Sequence, residues 1–211
     1  MKDYAFDAFI RAKYAACLAF LREHPYDLSY YAQFTPDRLD CIIVPADSFL
    51  SPEEDLACVF HQNHPYGLMP HKHDYFELVY AYKGSLSHSV GDRQYLLTEG
   101  DICLLNPYAR HCLGTVDEDT VFINLLIRPR FLDQAFQKLS SSDNIVLNFF
   151  YDCFYQSAKH AELLFPHKEI RESSVYTYLH TAIRENIEKK EEYKNAAGYA
   201  LLLFCLELTR V

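Results

Sequence analysis

Long apolar runs, an excess of positive charge and a paired cysteine framework are all missing from this chain. The longest apolar run, residues 199–206, falls far short of the ~20 residues that a membrane-spanning helix needs. The sequence holds 20 lysines and arginines against 29 aspartates and glutamates, and its net charge of −9 repels polyphosphate. We therefore expect no membrane contact and no nucleic-acid binding by this chain alone.

The cysteines and the amino terminus favour a cytoplasmic protein. The seven cysteines are odd in number, their closest pair is Cys103 and Cys112, and no C-x-x-C spacing occurs. The first residues lack the basic and apolar segments of an export signal. We expect buried thiols in a reducing cytosol.

Composition is that of one globular unit. The 211 residues are 50% hydrophobic, 15% aromatic and 23% charged, which is enough apolar material for a sizeable core. No low-complexity tract or repeat appears. These observations exclude a disordered chain.

Periodicity divides the chain into three parts. Residues 4–23 have the helical spacing of an amphipathic helix, and residues 1–55 are predicted to form an amino-terminal helical arm. Within residues 56–128, short strand-like segments alternate with closely spaced turns. This part is predicted to form a small β-barrel. The predicted strands are Leu56–Phe60, Tyr75–Tyr82, Leu86–Val90, Arg93–Leu97, Ile102–Leu105, His111–Val116 and Val121–Ile127.

The helical period returns in residues 129–211. A last strand is predicted within 161–167, and then a long amphipathic helix runs to Glu192. Asn195 is expected to cap a second helix, with Tyr193-Lys194 as the tight link between the two. The leucines of this hairpin exceed one narrow face, which favours a dimerisation surface over an internal brace.

Potential ligand side chains follow strand geometry around residue 73. His71, His73 and Glu77 are all odd-numbered, so on a continuous strand they project from the same face, and a closed barrel can bring His111 opposite them. Three nitrogens and one oxygen suit zinc, nickel, iron or manganese. The other face of the strand is apolar and consists of Phe76, Leu78, Tyr80 and Tyr82. An apolar outer face predicts that helices cover the barrel exterior.

The same residues match a known motif. His71, His73 and Glu77, followed by six residues and Gly84, satisfy the first cupin motif, H-x-H-x3-E-x6-G. The second motif, G-x5-P-x-G-x2-H, is met in part, because Gly100 and His111 fit while asparagine and tyrosine replace the proline and the glycine between them.

With Pro70 before the first motif and Asn106-Pro107 in the second, residues 56–210 resemble the amino-terminal sensor domain of AraC-type transcription regulators. The resemblance implies a mainly β plus α fold, a cupin-like double-stranded β-helix (jelly-roll) barrel with an amino-terminal helix and a carboxy-terminal helical hairpin. It also implies a small-molecule effector in the barrel and a homodimer through the carboxy-terminal helices.

DNA recognition in that family belongs to two helix-turn-helix units, which would occupy roughly a hundred further residues. This chain stops where they would begin, so we expect an excised sensor domain. Contact with DNA is then expected through the missing carboxy-terminal domain.

The ligand set has two interpretations. In the first interpretation, a divalent metal is held by His71, His73, Glu77 and His111. In the second interpretation, the same residues line a pocket and form hydrogen bonds to a ligand. The AraC resemblance favours pocket lining, because such regulators often keep the motif without depending on a metal. A cupin metalloenzyme, for instance a dioxygenase or isomerase, is the alternative function, and a dimerising scaffold with an empty barrel is a third.

Further residues are candidates for effector contact. Tyr75 shares the odd parity of the ligand set and could face the pocket. Tyr108 and Arg110 precede His111, and the guanidinium would favour a carboxylate or phosphate on the effector. His61 and His64 are interpreted as surface or loop histidines.

Overall fold

The computed structural model describes residues 3–25, 42–62, 69–114, 119–136, 145–154, 160–170 and 174–210. Within these ranges, ten strands form two five-stranded sheets that face each other, and helices cover one of the sheets. This arrangement confirms the predicted mainly β plus α fold with a cupin-like double-stranded β-helix.

The strands and helices have the following bounds. The strands are β1 (Ile42–Val44), β2 (Leu56–Phe60), β3 (His71–His73), β4 (Phe76–Lys83), β5 (Ser85–Val90), β6 (Arg93–Thr98), β7 (Ile102–Leu105), β8 (His111–Leu113), β9 (Val121–Ile127) and β10 (Glu162–Phe165). The helices are α1 (Tyr4–Glu23), α2 (Pro129–Phe136), α3 (Ile145–Phe154), α4 (His167–Ile170), α5 (Val175–Glu188) and α6 (Tyr193–Leu208). Two strands, β1 and β10, extend the sheets beyond residues 56–128.

Each sheet combines strands that are distant in the chain. The first sheet has the order β1-β3-β8-β5-β6, and the second has the order β10-β7-β4-β9-β2. All pairs are antiparallel except β1 with β3. The turn between β5 and β6 is the predicted two-residue hairpin, since Val90 pairs with Arg93 and Gly91 has φ +55°.

The second sheet is buried on both faces. Leu78 of β4 belongs to the outer core cluster, together with Phe6 of α1, Leu179 of α5 and Leu201 of α6. Its neighbour Val79 points the opposite way and belongs to the cluster between the sheets. Helices therefore cover the barrel exterior on this side, as the apolar face of the strand predicted.

The strand predicted to run through His71 and Glu77 is interrupted. β3 lies in the first sheet and β4 lies in the second, and the chain crosses between them at Asp74 and Tyr75. The crossing is held by the Asp74 carboxylate, which accepts a hydrogen bond of 2.6 Å from the Ala46 amide. The expectation of one continuous strand is therefore wrong.

The link within the helical hairpin also differs from the prediction. α5 ends at Glu188 because Lys189 adopts a left-handed conformation with φ 49°, which is a common helix terminator. α6 begins at Tyr193, so Asn195 lies inside the helix and is not its cap. Residues 189–192 form the link, and the assignment of Tyr193-Lys194 as the link is wrong.

Glu54 connects this hairpin to the segment that precedes β2. Its Oε1 accepts hydrogen bonds from Lys189 Nζ at 2.7 Å and from the Tyr193 hydroxyl at 2.9 Å. Its Oε2 accepts a 3.2 Å hydrogen bond from the Ser51 amide. The bond from Lys189 is the main cause that lowers the pKa of Glu54 to about 2.

Two expectations from composition can be compared with the described residues. The six cysteines within these ranges are free thiols, and three of them are buried: Cys103, Cys153 and Cys205. The seventh, Cys41, lies outside the described residues. No described helix has both the length and the apolar character that crossing a membrane requires.

Substitution at Gly100 tests the packing of the barrel against α4. Gly100 has φ +95°, and an added Cβ would lie 2.5 Å from Nδ1 of His167, whose ring is held by the Tyr176 hydroxyl. We expect Gly100→Ala to lower the free energy of unfolding in urea by about 3 kcal/mol, from backbone strain and overlap together. Gly91→Ala is the control: φ is +55° and no atom lies within 4 Å, so we expect a loss of about 1 kcal/mol. Equal losses would contradict the packing.

The contacts of Glu54 predict a pH-dependent contribution to stability. Its folded-state pKa of about 2 is below the ordinary value of 4.5, so the ionised carboxylate stabilises the fold above pH 4.5, and this contribution is lost as the pH falls toward 2. We expect Glu54→Gln to lower the free energy of unfolding by about 1 kcal/mol at neutral pH, with a gap that closes in acid. Urea unfolding over a pH series measures it. The exposed neighbour Glu53 provides the control Glu53→Gln, and a gap that persists unchanged in acid would refute the account.

Candidate functional site

Pairing of β3 with β8 places two predicted ligands opposite each other. His71 pairs directly with His111, and their ring centroids are 4.3 Å apart. His73 lies two residues further along β3, and one ligand atom from each of the three histidines lies within 4.8 Å of the others. β4 contributes Glu77 from the second sheet. We call these four residues the histidine cluster: His71, His73, Glu77 and His111.

Three atoms of the cluster form a small triangle. His73 Nε2 and His111 Nε2 are 3.1 Å apart, and each is 3.6 Å from Glu77 Oε2. A divalent ion with ligand bonds of about 2.1 Å separates its ligands by about 3.0–3.4 Å. The distance between His73 and His111 lies within this range, and the two distances to Glu77 Oε2 are slightly longer. The three histidines therefore fit a divalent metal ion, with Glu77 close by.

The tautomer of His71 follows from its hydrogen bond. Its Nδ1 is 2.9 Å from the carbonyl oxygen of Met69. A carbonyl only accepts, so Nδ1 carries the proton and Nε2 keeps its lone pair. A metal-bound histidine usually donates the N–H of its other ring nitrogen to an acceptor such as a carbonyl, which fixes the orientation of the ring.

Burial controls the charge of the cluster. Loss of solvent lowers the pKa of His73 and of His111 well below the ordinary value, so both imidazoles are neutral. Burial also raises the pKa of Glu77 to about 8, against the opposing effect of Asn124, whose Nδ2 donates a 2.8 Å hydrogen bond to Glu77 Oε1. The cluster thus presents neutral imidazoles and a carboxyl group that holds its proton more tightly than an exposed one.

Several buried polar atoms around the cluster have no hydrogen-bond partner among the described residues. They include Nδ1 of His73, Oε2 of Glu77 and Oδ1 of Asn124. Each such atom costs about 1–3 kcal/mol if it stays unpaired. The polar side of the barrel interior therefore has a capacity for hydrogen bonds or coordination that the surrounding described side chains do not fill.

Two further histidines border the cluster. His88 on β5 is 1% exposed, and its Nε2 is 3.1 Å from Nδ1 of His111. His61 is 8% exposed, and burial lowers its pKa to about 4. His61 follows β2 outside any strand or helix, as a loop histidine does, but it is buried, so the surface part of the interpretation is wrong. His64 lies outside the described residues.

His88 was not among the predicted site residues, although the sequence around it carries a local signal. β5 alternates between exposed and buried side chains, and His88 shares the inward parity of Leu86 and Val90. A histidine between two aliphatic residues on the inward face of a barrel strand is a candidate for the interior. No cupin motif letter falls on this position.

The other predicted effector contacts divide into two groups. Tyr75 is 2% exposed and stacks on the His73 ring, with centroids 4.4 Å apart. Tyr108 is 50% exposed and Arg110 is also exposed, because Ala109 and His111 take the inward positions of this segment. The structure brings Tyr75 to the histidine cluster and does not bring Tyr108 or Arg110 there.

Solved structures similar to this chain are distant in sequence. ToxT from Vibrio cholerae, with a bound unsaturated fatty acid, is 15% identical over 71% of this chain and 50% of that chain, with a TM-score of 0.40. KdgF from Halomonas sp. is 16% identical over 37% and 75% of the two chains, with a TM-score of 0.29. A putative ethanolamine utilization protein, EutQ from Salmonella typhimurium, is 18% identical over 36% and 59%, with a TM-score of 0.29.

The chain spans about half the length of the ToxT chain. A search of curated proteins found no match.

A family model identifies the chain more directly. The AraC-like ligand binding domain matches residues 55–172, which is more than half of the sequence and contains the whole histidine cluster. The resemblance to AraC-type regulators is thereby confirmed. The chain belongs to the AraC-like ligand binding domain family.

Proposed function

We propose that this chain is the effector-sensing and dimerisation domain of an AraC-type transcription regulator. A small molecule binds inside the barrel and contacts the histidine cluster. The observation that carries the proposal is the set of buried polar atoms that lack partners among the described residues, inside a domain of a ligand-binding family. An occupant that supplies hydrogen bonds or coordination would offset the cost of burying them.

A continuous set of contacts connects the cluster to the helical hairpin. Tyr75 stacks on His73 and packs in a small core cluster with Ala46 and Leu50. These two residues belong to residues 45–55, which we call the linking segment. At its far end Glu54 bonds to the start of the hairpin link and to α6. An effector that moves the His73 ring would therefore act on the hairpin through this segment.

Such signalling sets a requirement on the effector. It must bind two arrangements of the hairpin with different affinity, because a ligand with equal affinity for both shifts nothing. A preference of ~100-fold changes the equilibrium by about 2.7 kcal/mol. That is more than the approximately 1 kcal/mol that a contact such as Glu54 with Lys189 contributes, so the linking segment can be rearranged by a ligand.

The outer side of α6 supports the dimer. Tyr199 is 67% exposed and Leu203 is 42% exposed, and the half-buried Leu202 and Leu206 adjoin them. The spacing i, i+3, i+4, i+7 puts the four on one side of the helix, which we call the dimer face. A homodimer with a two-fold axis would bury this face against its own copy.

DNA is assigned to helix-turn-helix modules outside this chain. The net charge of −9 opposes contact between the barrel and a phosphate backbone. The role of the domain is then to sense and to dimerise, and a cytoplasmic location follows from that role.

A cupin metalloenzyme, such as a dioxygenase or isomerase, is the second candidate function. The spacing of 3.1 and 3.6 Å among His73, His111 and Glu77 favours it, as does the tautomer of His71. These four residues would hold the ion. Bound zinc, nickel, iron or manganese would supply a Lewis-acidic centre for a substrate or effector oxygen.

Titration calorimetry tests the sensor function. We expect metal-free or metal-loaded protein to bind at least one compound from a panel of sugars and aromatic acids. His73→Ala should weaken that binding at least tenfold, because one hydrogen bond or ligand to the occupant is lost, about 1.4 kcal/mol. His24→Ala is the matched control, since His24 is an exposed histidine at the end of α1 and should leave the affinity unchanged.

The outcomes separate the two candidates. Absence of any binder in both forms of the protein would count against the sensor. Elemental analysis of protein purified without added metal addresses the alternative. Near-stoichiometric iron or manganese that disappears in His73→Ala would favour the metalloenzyme.

Sedimentation equilibrium tests the dimer face. We expect the native chain to be a dimer and Leu203→Glu to weaken self-association at least tenfold, because a carboxylate would be buried in an apolar interface. Leu96→Glu is the control, because Leu96 is 65% exposed on β6, the edge strand of the first sheet. A monomeric native chain, or equal dimerisation of both variants, would refute the assignment.

A further inference from the structure

His88 and His73 contact opposite nitrogens of the His111 ring. Nε2 of His88 is 3.1 Å from Nδ1 of His111, while Nε2 of His111 is 3.1 Å from Nε2 of His73. The ring of His111 is therefore held between two histidines. His73 belongs to the candidate ligand set, whereas His88 lies outside the cupin motifs.

Coordination of a cation by the cluster requires a particular distribution of protons. A histidine that coordinates through Nε2 carries its proton on Nδ1, and that proton needs an acceptor when it is buried. For His71 the acceptor is the carbonyl of Met69 at 2.9 Å. For His111 the atom in the equivalent position is Nε2 of His88. As the acceptor, His88 carries its own proton on Nδ1, which is buried without a hydrogen-bond partner among the described residues.

We infer that His88 is a positioning residue, which accepts the Nδ1 proton of His111 and holds the Nε2 lone pair of His111 toward His73 and Glu77 for a divalent cation. The inference rests on the metal-binding candidate described under the proposed function. His88 acts on the cation through His111, since the nitrogen of His88 that lies at the cluster is the one engaged with His111.

The backbone around His88 suits this role. β5 pairs with β6 on one side and with β8 on the other, so its position relative to His111 is held by two ladders. Val90 of β5 pairs directly with His111, and His88 pairs with Leu113 two residues further on. His88 is also 1% exposed, so water does not compete for its Nε2.

Cobalt(II) and zinc binding by the full chain test the inference. We expect the native protein to bind Co²⁺, which gives a visible absorption spectrum. We also expect it to bind Zn²⁺, whose affinity is measured by competition with Co²⁺. His88→Leu removes the acceptor and should weaken both affinities 10- to 100-fold and alter the cobalt spectrum. His88→Gln places an amide oxygen near the position of Nε2 and should keep the affinity within about threefold of the native protein.

Two variants keep the test independent of folding defects. His88→Phe is a second variant that lacks the acceptor but keeps a ring of similar size. His180→Leu removes another, half-buried histidine, whose Nε2 is 3.0 Å from the Tyr80 hydroxyl on the helix-covered side of the second sheet. We expect His180→Leu to lower the melting temperature of the metal-free protein while leaving cobalt affinity unchanged.

Each result has one meaning. Native cobalt affinity in His88→Leu or His88→Phe, or equal losses in the Gln and Leu variants, would overturn the inference. If the native protein bound neither Co²⁺ nor Zn²⁺, the metal-binding candidate and this inference would both fall. Effector sensing is tested separately, by titration with organic ligands.

Discussion

Removal of water from polar side chains inside the barrel is the constraint on which the rest of this structure depends. Imidazoles and one carboxyl group lie among inward residues that are mostly aliphatic. Burial favours their neutral forms, so it lowers the pKa values of His73 and His111 and raises that of Glu77 to about 8. Neutral groups with unused lone pairs are suited to an occupant that brings hydrogen-bond donors or positive charge.

The second sheet connects the barrel interior with the helices, because both of its faces are buried. On β4, Glu77 points to the interior while Leu78 packs in the outer core with α1, α5 and α6. A displacement of β4 would disturb both sides, since close-packed interiors do not absorb movement. The linking segment provides a second connection, from Tyr75 near the cluster to Glu54 at the hairpin.

The candidate ligands could be predicted from alternation even though one step of the reasoning was wrong. His73 and Glu77 lie on strands of different sheets, but the two-residue crossing preserves the odd parity, so both still face inward. The same alternation explains the failure at Tyr108 and Arg110. They flank Ala109, which takes the inward position of that segment, and proximity to His111 in sequence did not put them beside it in space.

Local pattern was sufficient for most of the strands, the barrel class, the two helices of the hairpin and the family, because hydrophobic periodicity and motif spacing are properties of neighbouring residues. It did not predict β1, the break between β3 and β4 or the position of the hairpin link. Which histidines meet was decided by tertiary structure. His88 and His111 come together only when β5 pairs with β8, and His61 is buried only once β2 takes its place beside β9. Protonation states were decided there as well, because the pKa of a histidine or carboxyl group depends on how much water the surrounding sheets exclude, and no spacing of letters along a chain contains that information.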